Sequence, residues 1–202
     1  MLIHLACGLI LILMSAPNWL MFHLELMACA SARFPVLLVL ICFCMSQSLI
    51  VNSSSKAKIF HYGSIGLIYE QCKTSFLAAL RFAKTCDCIL SYDPKLKLAL
   101  WPSAEAAREG IMSIWNLADA IKISKDEITH LIDAGDPCDD DDVIKKLFHP
   151  TLKLLIVTSG SEGCRYYTND FKGKVRGLNV EPVDTTGAGC NIPFPIIQLI
   201  II

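Results

Sequence analysis

The sequence lacks an excess of charge of either sign: 18 Lys and Arg stand against 19 Asp and Glu, for a formal net charge of −1. With no basic stripe and no aromatics interleaved in one, nucleic acid is not an expected partner. There is no Cys-x-x-Cys pair among the 10 cysteines. The tightest spacings are "CFC" at 42–44 and "CDC" at 86–88, and no histidine sits at ligand spacing from either, so a zinc site is not expected. The cysteines follow no regular pattern in a chain of 202 residues. Such a chain can build a real core and needs no disulfide scaffold, so the expectation is buried, reduced thiols.

What is present in quantity is apolar sequence, 53% of the residues, concentrated in the first fifty positions and the last ten. The runs "LACGLILILM" (5–14) and "PVLLVLICFCM" (35–45) fall short of the about 20 residues a membrane-spanning helix requires. The first run has the length of a signal-peptide core, and "ACASA" at 28–32 supplies small residues of the cleavage kind. No Lys or Arg precedes that run, and Pro17, Asn18, His23 and Glu25 intervene before the small residues. A secretory or membrane-associated segment is thus the alternative to an N-terminal stretch that does not belong to the domain behind it.

From about residue 56 the texture changes to strands alternating with amphipathic helices. "KIFHYGSI" (58–65) predicts a buried strand and a turn, and "EQCKTSFLAALRFAKTC" (70–86) a helix with Phe76, Leu77, Leu80 and Ala83 on one face. "CILSYDP" (88–94) reads as a strand stopped by proline. Ser103 is placed to cap a helix running through "AEAAREGIMSIWNLA". "DAIKIS" (119–124) and "KDEITHLIDA" (125–134) read as strand and helix, "LKLLIVTSG" (152–160) as a strand ending in a glycine loop, and 163–183 as a hairpin. This alternation predicts an α/β fold with a mostly parallel sheet. In such sheets ligands bind beyond the carboxyl ends of the strands, which singles out Ser124–Glu127, Thr158–Gly163 and Asp184–Cys190. The four consecutive aspartates at 139–142 suit either a hard cation or the positive end of a helix dipole; the second reading, a solvated helix start, is the stronger.

"VDTTGAG" (183–189) closes this series with small residues after a strand. Gly187, Ala188 and Gly189 have little or no side chain, so their N–H groups can approach a phosphoryl group, while Thr185 and Thr186 offer hydroxyls.

Taken with "FHYGSIGLIYEQC", "LSYDPKLKLALWPSAEAAREGIMSIWNLADAIKISKDEI" and "HPTLKLLIVTSGSEGCRYYT", this stretch resembles plant fructokinases of the ribokinase-like (pfkB) carbohydrate kinase family, from about Lys56 to Gly189. The resemblance implies a ribokinase-like three-layer α/β sandwich with a β lid. It also implies transfer of the ATP γ-phosphoryl to a sugar, fructose, with Mg²⁺ and often K⁺, in the cytoplasm. By the same resemblance, Gly187, Ala188 and Gly189 form the anion hole, and Ser124 and Glu127 help organise Mg²⁺ and phosphates, although many relatives have Asn where this chain has Ser124. Thr158, Gly160 and Gly163 contact the nucleotide, and Asp184 and Thr186 hold the monovalent cation.

The resemblance also sets expectations of loss. The family's catalytic base should follow Gly189, and this chain has Cys190 there. Pro193 and Pro195 stand where a helix should begin, and residues 1–50 show no Gly-Gly turn of the sugar-binding segment. The expected organisation is therefore an unrelated apolar segment (1–55), a partial kinase domain without its lid (56–189) and a divergent tail (190–202). A product truncated at both ends, read past an exon boundary after Gly189, would be marginally stable and weak in catalysis. A non-catalytic relative retaining nucleotide or partner binding is the alternative function.

Overall fold

A computed structural model describes residues 2–5, 9–13, 20–26, 59–132 and 139–177. The chain divides into two compact units, Met1–Ile111 and Met112–Ile202.

In the first unit, β1 (Leu2–Leu5), β2 (Leu9–Leu13) and β3 (Leu20–Leu26) pair antiparallel in chain order. The described parts of the N-terminal apolar stretch are thus extended. Parallel pairing then runs from β3 to β4 (Ile59–Tyr62) and on to β5 (Ile89–Tyr92). The connection from β4 to β5 is α1 (Glu70–Thr85), the crossover helix that parallel neighbours require. Cys72, Ala79, Leu80 and Ala83 form its buried stripe, with Phe76 half-buried beside them. β4 is buried along its whole length, and Tyr62 stacks on Tyr92 of the neighbouring strand at 4.9 Å between ring centroids.

The "CDC" turn has a backbone explanation. Asp87 has φ +54, the left-handed residue that commonly terminates a helix, and the Cys88 amide donates back to Ala83 across it. Burial first, then the negative potential of Cys86 and Asp87, pushes the Cys88 thiol up to about 11, so it stays protonated. Among the described residues Cys72, Cys86, Cys88 and Cys164 are free thiols, Cys86 partly buried and the other three buried. Among the described residues no group of three or more His, Cys, Asp or Glu is placed to hold a metal. No described helix is long and apolar enough to cross a membrane.

α2 (Ala104–Ser113) starts as the sequence suggests, with the Ala106 amide donating to Ser103 Oγ at 3.1 Å. It ends five residues before the apolar pattern does, because Trp115–Leu117 tighten into a 3-10 turn. Trp115 is 2% exposed, and its indole Nε1 donates to the Leu147 carbonyl at 2.9 Å.

In the second unit, β6 (Ala120–Ser124) and β7 (Leu154–Thr158) pair parallel, followed by the antiparallel strands β8 (Cys164–Tyr167) and β9 (Lys172–Val175). β7 is a run of five buried apolar and Thr residues, the composition of a strand covered on both faces. Two helices lie between β6 and β7 in the chain, α3 (Lys125–Leu131) and α4 (Asp140–Leu147). They bury Ile128 and Leu131, and Val143 and Leu147, respectively.

Candidate functional site

The parallel register of β6 and β7 sets Ser124 directly opposite Thr158 at the carboxyl ends of both strands. Two of the three motifs singled out in the sequence thereby become neighbours, although 34 positions separate those residues in the chain. The third, with Asp184, Thr186, Gly187, Ala188, Gly189 and Cys190, lies outside the described residues.

Ser124 and Glu127 form a capping box. The Glu127 amide donates to Ser124 Oγ at 3.2 Å, and Glu127 Oε2 accepts from the Ser124 amide and hydroxyl, both at 2.8 Å. The pair thus closes the start of α3 and fixes a carboxylate at the strand end. Ser124→Ala is expected to destabilise the second unit by about 1 kcal/mol, the usual effect of losing such a cap. Denaturant titration measures this, and an unchanged midpoint would count against the box.

Thr158 is 9% exposed, with Oγ1 3.5 Å from the Ile123 carbonyl oxygen. The chain then turns through Gly160–Glu162, a single 3-10 turn closed from within. The Ser159 amide donates to Gly163 O at 2.8 Å, and the Glu162 and Gly163 amides donate to Ser159 O and Gly160 O, both at 3.1 Å. Gly160 has φ +55 and Gly163 φ +96, conformations that L side chains rarely adopt. A Cβ on Gly163 would overlap the Val175 carbonyl oxygen, and one on Gly177 would overlap that of Ser161. Two glycines therefore allow the loop and the end of β9 to lie backbone against backbone.

The aspartate run serves more than a solvated face. Asp139 caps α4, accepting from the Asp141 and Asp142 amides at 2.8 and 3.2 Å. Asp140 instead engages the hairpin: its Oδ1 accepts from Tyr167 OH at 2.6 Å and from Arg165 Nη1 at 2.9 Å, and Lys172 Nζ lies 3.8 Å from Oδ2. Strand periodicity explains the convergence, because Arg165 and Tyr167 alternate onto one face of β8. The hydrogen bond from Tyr167 leads in holding the Asp140 carboxyl below its ordinary 3.8, with Arg165 and Lys172 adding to it. Burial, then the bond to Asp140, pushes the Tyr167 phenol well up.

Since the folded-state value of Asp140 is the lower one, the stability it confers is present above about pH 4, the range of an unfolded aspartate. It fades as pH falls through the folded value. Asp140→Asn is expected to cost about 1 kcal/mol at neutral pH, in line with a partly exposed charged hydrogen bond, and to flatten the acid limb of the stability profile. Melting curves from pH 7 down to 3 check this; a parallel acid limb in both proteins would refute it.

The sequence analysis anticipated none of Asp140, Arg165 or Tyr167. The signal was available in the period-2 alternation of "CRYY" and "KGKV", which assigns charged residues to one face of the hairpin.

The model of pfkB family carbohydrate kinases matches residues 46–189. The chain is 64% identical over 138 residues to the probable fructokinase-7 of Arabidopsis thaliana, covering 68% of this chain and 40% of that protein. The crystal structure of fructokinase with bound ATP from Xylella fastidiosa superposes with a TM-score of 0.62 at 28% identity, covering 69% of this chain and 43% of that one. A fructokinase double mutant from Vibrio cholerae, solved in fructose-, ADP- and potassium-bound form, gives a TM-score of 0.58 at 27% identity, covering 64% and 41% of the two chains. The chain thus spans about two fifths of the length of the curated relative and solved structures it matches. Parallel strands joined by helices, with glycine and hydroxyl residues gathered at their carboxyl ends, accord with those similarities, and the chain belongs to the pfkB family of carbohydrate kinases.

Proposed function

We propose that the chain is a fructokinase-like protein that phosphorylates fructose with ATP to give fructose 6-phosphate. The observation that carries the reading is the Ser124–Thr158 register, which places the capped carboxylate and the glycine loop side by side at one sheet end. The similarity to fructokinases supports the choice of sugar.

In this reading Thr158, Gly160 and Gly163 would hold the nucleotide, and Glu127, kept in place by Ser124, would help organise Mg²⁺ and the phosphates. Bound magnesium supplies charge neutralisation for the transferring phosphoryl group. The amides of Gly187, Ala188 and Gly189 stabilise charge on that group, and Asp184 and Thr186 hold a potassium ion nearby. Cys190 occupies the position of the residue that takes the sugar hydroxyl's proton. In this reading the protein acts on small molecules rather than nucleic acid, in the cytoplasm, with membrane or secretory targeting by the N-terminal apolar segment left as the alternative.

Cys190 also favours a second reading, a non-catalytic relative that binds nucleotide. A thiol with an ordinary pKa of about 8.5 is a poor proton acceptor near neutrality. ADP release with fructose and ATP, measured on this chain and on Cys190→Asp, separates the two. Turnover in the unaltered chain supports the kinase; nucleotide binding without turnover in the unaltered chain, whether or not Cys190→Asp restores it, supports the binding protein.

A further inference from the structure

The helix that Asp140 begins does not depend on its carboxylate for a cap, because Asp139 already accepts from the Asp141 and Asp142 amides. Both Asp140 oxygens are turned to the hairpin instead. Oδ1 takes two donors from β8, the Tyr167 hydroxyl at 2.6 Å and Arg165 Nη1 at 2.9 Å, and Oδ2 faces Lys172 of β9. One carboxylate therefore grips both strands. An exposed ion pair of this kind would contribute little. Here Tyr167 is 1% exposed and the Arg165 side chain 13%, so the two charged hydrogen bonds to β8 are largely sheltered from water.

The hairpin in turn carries the exit of the Ser159–Gly163 loop. Cys164, the first residue after the loop, pairs with Thr158 on one side and with Val175 on the other. Arg165 comes next in the chain, and the Val175 carbonyl and the Gly177 amide lie against Gly163 from the end of β9 and just beyond it. Loosening either strand thus changes a wall of the loop.

The loop has reason to move when its walls do. Two of its five residues are glycines, at φ +55 and φ +96, and glycine has more backbone freedom to regain than any other residue. The amides of Ser159, Glu162 and Gly163 bond to carbonyls of the loop itself, which shapes the turn without tying it to α4. The tie to α4 runs through Asp140.

We propose that Asp140 is a positioning residue for nucleotide binding, a clamp that holds β8 and β9 so that the Ser159–Gly163 loop keeps its binding shape. This role rests on the nucleotide-binding part of the reading above and adds a residue outside the threonine and glycine motifs. Asp140 acts through the hairpin and not on the ligand. Releasing it lowers the fraction of chains whose loop is ready to bind, and apparent affinity falls with that fraction.

Two measurements on the whole 202-residue chain test the clamp: amide hydrogen exchange of the ligand-free protein, read at residues 159–163, and calorimetric titration with ATP. Asp140→Asn and Tyr167→Phe are each expected to speed exchange of the Glu162 and Gly163 amides and to weaken ATP by about 3- to 10-fold. The double variant is expected to match Asp140→Asn, because both changes remove one link. Ile121→Val, a methyl-group deletion in the buried core of β6, lowers stability without touching the clamp and is expected to leave both readouts unchanged. Asp141→Asn, which removes one exposed ion pair to Lys172, is expected to bind ATP like the unaltered chain.

Unchanged loop exchange in Asp140→Asn overturns the clamp. Faster exchange with undiminished ATP affinity overturns the positioning role and leaves Asp140 a structural anchor. Equal weakening by Ile121→Val reduces the effect to general stability and overturns the role as well. Failure of the unaltered chain to bind ATP removes the nucleotide reading and the role with it, while the exchange data still show separately whether Asp140 orders the loop.

Discussion

Gly163→Ala is expected to destabilise the second unit by about 3–5 kcal/mol, a sum of backbone strain and overpacking. Gly163 has φ +96 and ψ −138, a region essentially reserved for glycine. Its added methyl group would also meet main-chain atoms: the Val175 carbonyl oxygen, Gly177 N at 2.5 Å and Arg176 C at 2.7 Å. Backbone cannot rotate aside as a flexible side chain can, so the loop and the end of β9 would have to separate. Small domains have only about 5–15 kcal/mol of net stability, so a loss of this size leaves a substantial unfolded population. Gly160→Ala is the matched comparison. With φ +55 and nothing within 4 Å of its added Cβ, it pays about 1 kcal/mol of left-handed strain and no overlap. Denaturant midpoints of the two variants decide the matter; equal losses would show that the glycine contacts do not govern the loop.

Cys190→Asp is expected to raise fructose-dependent ADP release by about 10²–10⁴-fold, the usual contribution of a positioned general base. The substitution restores the residue type that the family resemblance places after Gly189, and a carboxylate accepts a proton at neutral pH where a thiol does not. The change belongs in turnover, with KM for ATP little altered, because the proton acceptor acts on the sugar hydroxyl. Phosphoryl transfer draws mostly on positioning and electrostatics, so a low residual rate in the unaltered chain fits the same account. An absent rate in both proteins, with ATP still bound, would show that replacing the base is not what limits this chain.

Strand and helix periods carried most of the fold. The apolar sequence within 152–160 read as a strand, found at Leu154–Thr158, and the helical spacing of Phe76, Leu77, Leu80 and Ala83 pointed to α1. Glycine and threonine at strand ends drew attention to the candidate site, since those residue types follow from the turn chemistry itself. What sequence patterns do not carry is register between segments far apart in the chain. The pairing of Ser124 with Thr158, and of Cys164 with Val175, decides which loops and charges meet. For that reason Asp140 read as one of four equivalent aspartates, although only Asp140 reaches both Arg165 and Tyr167. The early end of α2 has a similar origin: burial of Trp115 and its bond to Leu147 favour a tight turn where helical periodicity alone would continue.

That indole bond also makes Trp115 an optical reporter once Trp19 and Trp101 are replaced by Phe. Trp115 is 2% exposed and hydrogen-bonded to the last residue of α4, so its emission should be blue while α4 is docked and shift red when water reaches the ring. Because α4 carries Asp140, the anchor of the hairpin, the same fluorophore reports on the state of the charged face without any attached dye.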